Sequence, residues 1–93
     1  MNPDSKVRRN PEVVARELAQ AEGAVLLHLG SGAYHGLNQV GVVVWQELEG
    51  ERTVGELVEA VRERVEDPPP ELERDVIAFL EGAVERDLLD VGD

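Results

Sequence analysis

Between Leu37 and Val40 the hydrophobic pattern of this chain changes period. Upstream, in Ala24 to Leu29, Val25, Leu27 and Leu29 fall on one face and Ala24, Leu26 and His28 on the other. That two-residue alternation belongs to an extended strand. Downstream, Val40, Val44 and Leu48 recur at every fourth position, the spacing of one helix face. Strands come first and helices follow, so the expected class is α+β.

Three strands are expected before the switch. Val13 to Leu18 and Ala24 to Leu29 are separated by the turn-prone Gln20-Ala21-Glu22-Gly23. Gly30-Ser31-Gly32 reads as a hairpin connection, with glycine for the positive φ that such turns demand. Ala33 to Leu37 then completes a three-stranded antiparallel meander. This third strand carries only two sizeable side chains before Gly36, namely Tyr34 and His35, and lacks the β-branched bulk of a central strand.

Three helices are expected after it. Asn38 suits an N-cap and Gly50 a C′ position, bracketing a first helix that contains Gly41 and Trp45. Thr53-Val54-Gly55-Glu56 is a capping box that opens a second helix, with Val54, Leu57, Val58, Val61 and Val65 as its core stripe. Asp67-Pro68-Pro69-Pro70 stops that helix and starts a third, expected from Glu71 to Leu88. On this last helix the apolar side chains do not make one narrow stripe. At about 100° per residue they cover an arc near 180°, more than the ~100° that covering a core requires. One flank of such a helix can pack inward while another lines a groove; a central buried helix or a dimer seam are the plainer uses of the same arc.

Ninety-three residues allow one small core, and the expectation is a single domain over 1–93 with an ordered core of about 7–91. Twenty acidic against nine basic residues give a net charge of −11. Residues 1–38 are balanced, four against four, and the whole excess lies in residues 39–93, with sixteen acids and five bases. Nucleic-acid binders carry the opposite sign, because phosphate neutralisation drives their affinity. No apolar run approaches a membrane span and the basic N-terminus lacks a following apolar segment, so no nucleic acid, no membrane and a cytoplasmic location are expected.

Chemistry is sparse. The chain has no cysteine, no nucleophile elbow and no phosphate-binding glycine loop. Gly30-Ser31-Gly32 is a turn, not a cofactor loop, because no third glycine follows and the next element is a strand. His28 and His35 would face one another only across a two-residue turn, and two imidazoles without a third ligand do not make a metal site. Acid pairs such as Glu71/Asp75 and Glu81/Glu85 sit at helical spacing on charged faces. Neither an enzyme, nor a metal, nor a cofactor is expected. Trp45 reads as core, and Phe79 as shared between core and groove.

One resemblance gathers these features. Leu27 to Leu29, Tyr34-His35-Gly36-Leu37-Asn38, Gly41, Trp45, Gly50, Thr53, Glu56-Leu57, Asp75-Val76 with Phe79-Leu80, and Leu88-Leu89 occur in the order found in PqqD-like proteins. The chain resembles these precursor-recognition domains of ribosomally made, modified peptides from about Val7 to Val91. The Arg8-to-Val14 opening and the Tyr-x-Gly-Leu-Asn segment are most similar to recognition proteins of lasso-peptide clusters.

The resemblance implies a winged helix-turn-helix-like fold that binds peptide instead of DNA. The leader of a precursor peptide would add as an antiparallel strand to the third strand, in a groove against the third helix. It would be presented there to a leader peptidase and a cyclising synthetase. Strand contacts are expected from Ala33, Tyr34, His35, Gly36 and Leu37, chiefly through backbone. The pocket is expected from Val76, Phe79, Leu80 and Ala83, with Leu29 and Leu37 beneath and Asp75 steering a basic leader. Three alternatives stand beside it: a peptide chaperone of pyrroloquinoline quinone biosynthesis, a DNA-binding winged helix, and an acidic dimeric adaptor.

Overall fold

A computed structural model describes residues 1–17 and 23–92 of the chain, so Leu18 and residues 20–22 of the expected first turn lie outside the described residues. In chain order the elements are β1 (Lys6–Arg9), β2 (Val13–Glu17), β3 (Ala24–His28), β4 (Tyr34–Leu37), α1 (Gln39–Glu47), β5 (Arg52–Thr53), α2 (Val54–Arg64), α3 (Leu72–Glu85) and β6 (Leu89–Gly92). The fold is α+β and winged-helix-like, with the expected meander preceding three helices.

The meander is the antiparallel sheet β2–β3–β4. Its register aligns Ala15, Leu26 and His35 across one face, and Val14, Leu27 and Tyr34 across the other. Ala24, Leu26 and His28 turn inward and are buried. The opposite face stays open, with Val14 and Tyr34 exposed. The β3–β4 hairpin is closed by the His28 N–H donating to the Ala33 carbonyl at 3.0 Å and the Gly32 N–H donating to the His28 carbonyl at 2.8 Å. Gly32 supplies φ +75°. The loop therefore runs from residue 29 to 32, one residue longer than Gly30-Ser31-Gly32, so His28 stands opposite Ala33 and His35 opposite Leu26.

A second sheet, in the order β5–β1–β6, joins the two ends of the chain. Lys6 pairs with Gly92 and Arg9 with Leu89, all antiparallel, while Val7 also faces Arg52. Periodicity does not announce strands this short. They exist because Val7 and Leu89 are buried and their backbones find partners far away in sequence. Arg9 locks this sheet to α1: its Nε and Nη2 both donate to the Trp45 carbonyl, and its guanidinium lies 5.1 Å from the centre of the Trp45 ring.

The helix boundaries follow the capping residues. Asn38 Oδ1 accepts the Gly41 N–H at 2.9 Å. Thr53 Oγ1 accepts the Glu56 N–H at 3.1 Å while Glu56 Oε1 accepts the Thr53 N–H at 2.9 Å, completing the capping box. The third helix stops at Glu85, three residues short of the expected end at Leu88. The reason is a Schellman closure: Asp87 takes φ +62°, its N–H bonds the Val84 carbonyl and the Leu88 N–H bonds the Ala83 carbonyl. No glycine marks that stop, and the run Leu88-Leu89 continues the apolar pattern past it. The core between the layers is built from Leu26, Leu37, Val44, Trp45, Leu48, Leu57 and Val61, with Leu72, Val76 and Leu80 of α3.

The capping box carries a pH dependence. The hydrogen bond from the Thr53 N–H, and then that from its hydroxyl, hold the Glu56 carboxyl below its ordinary value. A depressed carboxyl stabilises the fold above the unfolded-state value and loses that contribution as pH falls through the folded value. Urea titrations across the acid range should show wild type losing more stability on acidification than Glu56→Gln, with the two curves converging once the carboxyl is protonated.

Candidate functional site

Among the described residues β4 is the free edge of its sheet, with β3 on one side of it and no strand on the other. In an antiparallel pair the N–H and C=O of one residue point the same way, and the direction alternates along the strand. The Ala33 carbonyl meets the His28 N–H, so the backbone groups of Ala33, His35 and Leu37 face β3. A Cβ placed on Gly23 would lie 2.8 Å from the Leu37 carbonyl oxygen, which puts that carbonyl on the same side. The N–H and C=O groups of Tyr34 and Gly36 therefore point away from the sheet, unpaired by β3. Side chains leave this edge accessible: Gly36 has none, with open space where a Cβ would be, and Tyr34 is exposed.

α3 runs beside this edge, and its roll is set by burial. Leu72, Val76, Leu80 and Ala83 form the stripe sunk in the core. Turning from that stripe toward β4 brings up Phe79, half-buried, and then Gly82. Phe79 is seated by a glycine on another helix. Gly41 of α1 is buried, and a Cβ there would come 3.0 Å from the Phe79 ring and 3.4 Å from the Leu37 Cβ. The absent side chain lets the ring settle between α1 and β4. The result is a cleft of about 360 Å³ whose strand wall is Tyr34 to Leu37 and whose helix wall includes Ala78, Phe79 and Arg86.

The two walls are tied together at one end. His28, buried on the inner face of β3, places Nε2 3.0 Å from Asp87 Oδ2 and accepts the Ser31 N–H on Nδ1 at 3.2 Å. An acceptor at Nδ1 requires the Nε2–H tautomer, so the imidazole donates to the Asp87 carboxylate. Asn10 reaches the same residue, donating from Nδ2 to the Asp87 carbonyl at 2.8 Å, while its own N–H bonds the Leu88 carbonyl. The hairpin that ends in β4 and the C-terminus of α3 are thus held to one left-handed residue.

The residues singled out from sequence divide by this geometry. Tyr34, His35, Gly36, Leu37, Phe79 and Ala83 meet around the cleft. Val76 and Leu80 are fully buried and belong to the core stripe instead. Ala33 precedes the strand, and Asp75 is exposed one turn N-terminal of Phe79, neither lining the cleft. Leu29 is 59% exposed in the hairpin loop and does not underlie the groove. Ala78, Gly82, Arg86 and Leu88 line it without having been singled out for it. Ala78, Gly82 and Arg86 are small or charged and give no hydrophobic signal, though Gly82 and Arg86 lie at helical spacing from Phe79. Leu88 is apolar but follows the early stop of α3, so its direction was not legible. No group of three or more His, Asp or Glu could hold a metal among the described residues, and no helix among them is long and apolar enough to cross a membrane.

A family model described as "Coenzyme PQQ synthesis protein D (PqqD)" matches residues 23–89. The chain is also similar to a solved structure described as "TbiB1 in Complex with the TbiA(beta) Leader Peptide", at 33% identity and TM-score 0.74 over 89% of this chain and 94% of that one. A second, "Lasso peptide synthetase B1 complexed with the leader peptide", is 25% identical with TM-score 0.71 over 90% of this chain and 96% of that one. No curated protein matches by sequence.

The tether between the walls makes its own prediction. Asp87→Ala leaves the buried His28 N–H without its acceptor, and should cost about 1–2 kcal/mol by urea unfolding. Asp87→Asn, which keeps an acceptor oxygen, should cost less.

Proposed function

The chain belongs to the PqqD family, and from that premise we propose that it binds the leader segment of a ribosomally synthesised precursor peptide. The leader adds as an antiparallel strand to β4 and lies in the cleft against α3. The observation that carries this reading is the outward-facing backbone of Tyr34 and Gly36 beside the Phe79 wall. The two leader complexes to which the chain is similar, each matched over about nine-tenths of its length, favour lasso-peptide biosynthesis over pyrroloquinoline quinone biosynthesis. In that pathway the bound precursor is presented to a leader peptidase and a cyclising synthetase.

Magnitudes divide the work between edge and groove. Two outward residues offer four backbone hydrogen bonds, each worth about 0.5–1.5 kcal/mol net. Even a micromolar complex needs about 8 kcal/mol beyond the costs of ordering the peptide. The edge therefore fixes direction and register, and apolar side chains of the leader seated against Phe79, Leu37 and Ala83 supply most of the affinity.

A DNA-binding reading has little to draw on in α2. Arg62 lies 3.8 Å from Glu59, and Arg64 contacts Glu47 at 3.5 Å and Gln46 at 2.7 Å, so both cations of that helix already have partners.

Proline substitution separates strand addition from mere proximity. Gly36→Pro removes an outward N–H while sparing the ladder to β3, and should abolish most binding of the TbiA(β) leader or the cognate one with stability nearly retained. His35→Pro removes an inward N–H and should destabilise the hairpin itself. Phe79→Ala should weaken binding by about 1–3 kcal/mol. Calorimetric titration alongside thermal melts measures all three. Undiminished leader binding by folded Gly36→Pro would count against strand addition.

A further inference from the structure

The cleft between β4 and α3 differs in charge from the chain around it. The protein has 20 acidic residues against 9 basic, yet among the described residues no acidic side chain lines the cleft, and the one that brings a fixed charge to it is Arg86. Arg8, Arg9, Arg62 and Arg64 are in ion pairs or ring contacts, whereas Arg86, like Arg74, has no side-chain partner among the described residues. The acids nearest to it in sequence lie away from the cleft. Asp87 is held by His28, and Glu85 lines a separate cleft against Met1 and Asn2. Glu81, on the same helix, lies 3.8 Å from the N-terminal ammonium.

The position of the guanidinium also has a structural cause. Gly82 precedes Arg86 by one turn of α3, and a Cβ there would come 2.9 Å from Arg86 Nη1. A mid-helix glycine disfavours the helix relative to alanine. Here the missing side chain lets the arginine fold back along the helix and across the cleft wall. An unpaired planar fork of donors on an apolar wall matches a carboxylate. At contact distance this outweighs the acidic remainder of the molecule, whose field falls off over a Debye length of about 8 Å at physiological salt.

Resting on the leader-binding reading, we propose that Arg86 is a specificity-determining residue of the groove: it takes the side-chain carboxylate of an Asp or Glu in the bound leader. The preferred ligand is an extended segment whose apolar side chains seat against Phe79 and Leu37, with an acidic residue reaching the Arg86 end. This reverses the polarity suggested by composition, because a net charge of −11 by itself favours basic peptides.

The test is selection from a random twelve-residue displayed peptide library on the full chain. Selected peptides are then synthesised and their binding is located by amide shifts at Tyr34, His35, Gly36 and Leu37. Wild type should select peptides that perturb those amides and carry Asp or Glu at one position among apolar residues. Changing that acid to its amide should weaken binding on the order of tenfold in wild type, and little in Arg86→Gln. Arg86→Glu should instead select Lys or Arg at that position. Gly82→Ala should melt no lower than wild type, yet lose most of the acid preference, a combination that a purely structural role for Arg86 does not produce. Absence of any peptide that perturbs the β4 amides would overturn the leader-binding reading itself. Peptides that bind there without acid preference, with equal acid-to-amide loss in Arg86→Gln, or with dependence on the C-terminal carboxylate alone, would overturn the role of Arg86 and leave the groove intact.

Discussion

Burial of the stripe Leu72, Val76, Leu80 and Ala83 sets the roll of α3, and the site depends on that roll. Four side chains that must leave water leave the helix no rotational freedom. Every other residue on it then has an assigned direction: Phe79, Gly82 and Arg86 toward β4, and Ile77 and Val84, both half-buried, on the opposite flank. Removing one of the buried leucines would cost about 2–5 kcal/mol of stability and loosen the helix wall of the cleft in the same event.

The strand wall depends on a different constraint. β4 is held by β3 on one side and packs Leu37 into the core, which leaves its outer edge without a partner strand among the described residues. Exposed edges invite uncontrolled pairing, and proteins usually blunt them with charges or proline. This edge has neither. It sits instead beside a helix wall that restricts which segment can approach. His28 and Asn10 hold both walls to Asp87, so the cleft is a property of the tertiary scaffold and not of a mobile loop.

Much of the fold was legible because the chain is heavily punctuated. Asn38 and the Thr53–Glu56 box mark helix starts whose hydrogen bonds the structure contains. Gly50 has a positive φ, but α1 is capped at Leu48, which places the glycine one residue past the expected C′ position. The sheet β5–β1–β6 was not legible, since two- to four-residue strands carry no measurable period and their partners come from the opposite end of the chain. The end of α3 was misplaced because Asp87, not a glycine, adopts the left-handed conformation. Within the site, the hydrophobic arc identified α3 but could not apportion its residues. Val76 and Leu80 share their apolar character with Phe79, and only the packed core separates those it absorbs from the one it leaves at the cleft.

By itself the sequence determined the order of strands and helices, the caps that delimit them, the light decoration of residues 33–37 and the excess apolar arc of the third helix. These are local properties, encoded in period, propensity and capping chemistry. Tertiary structure alone decided which strand was left at the edge, which backbone groups of that strand faced outward, and that Arg86 lies in a cleft whose described lining carries no acid. Those depend on register and helix roll, which are set by the burial of side chains distant in sequence, and no local pattern carries that information.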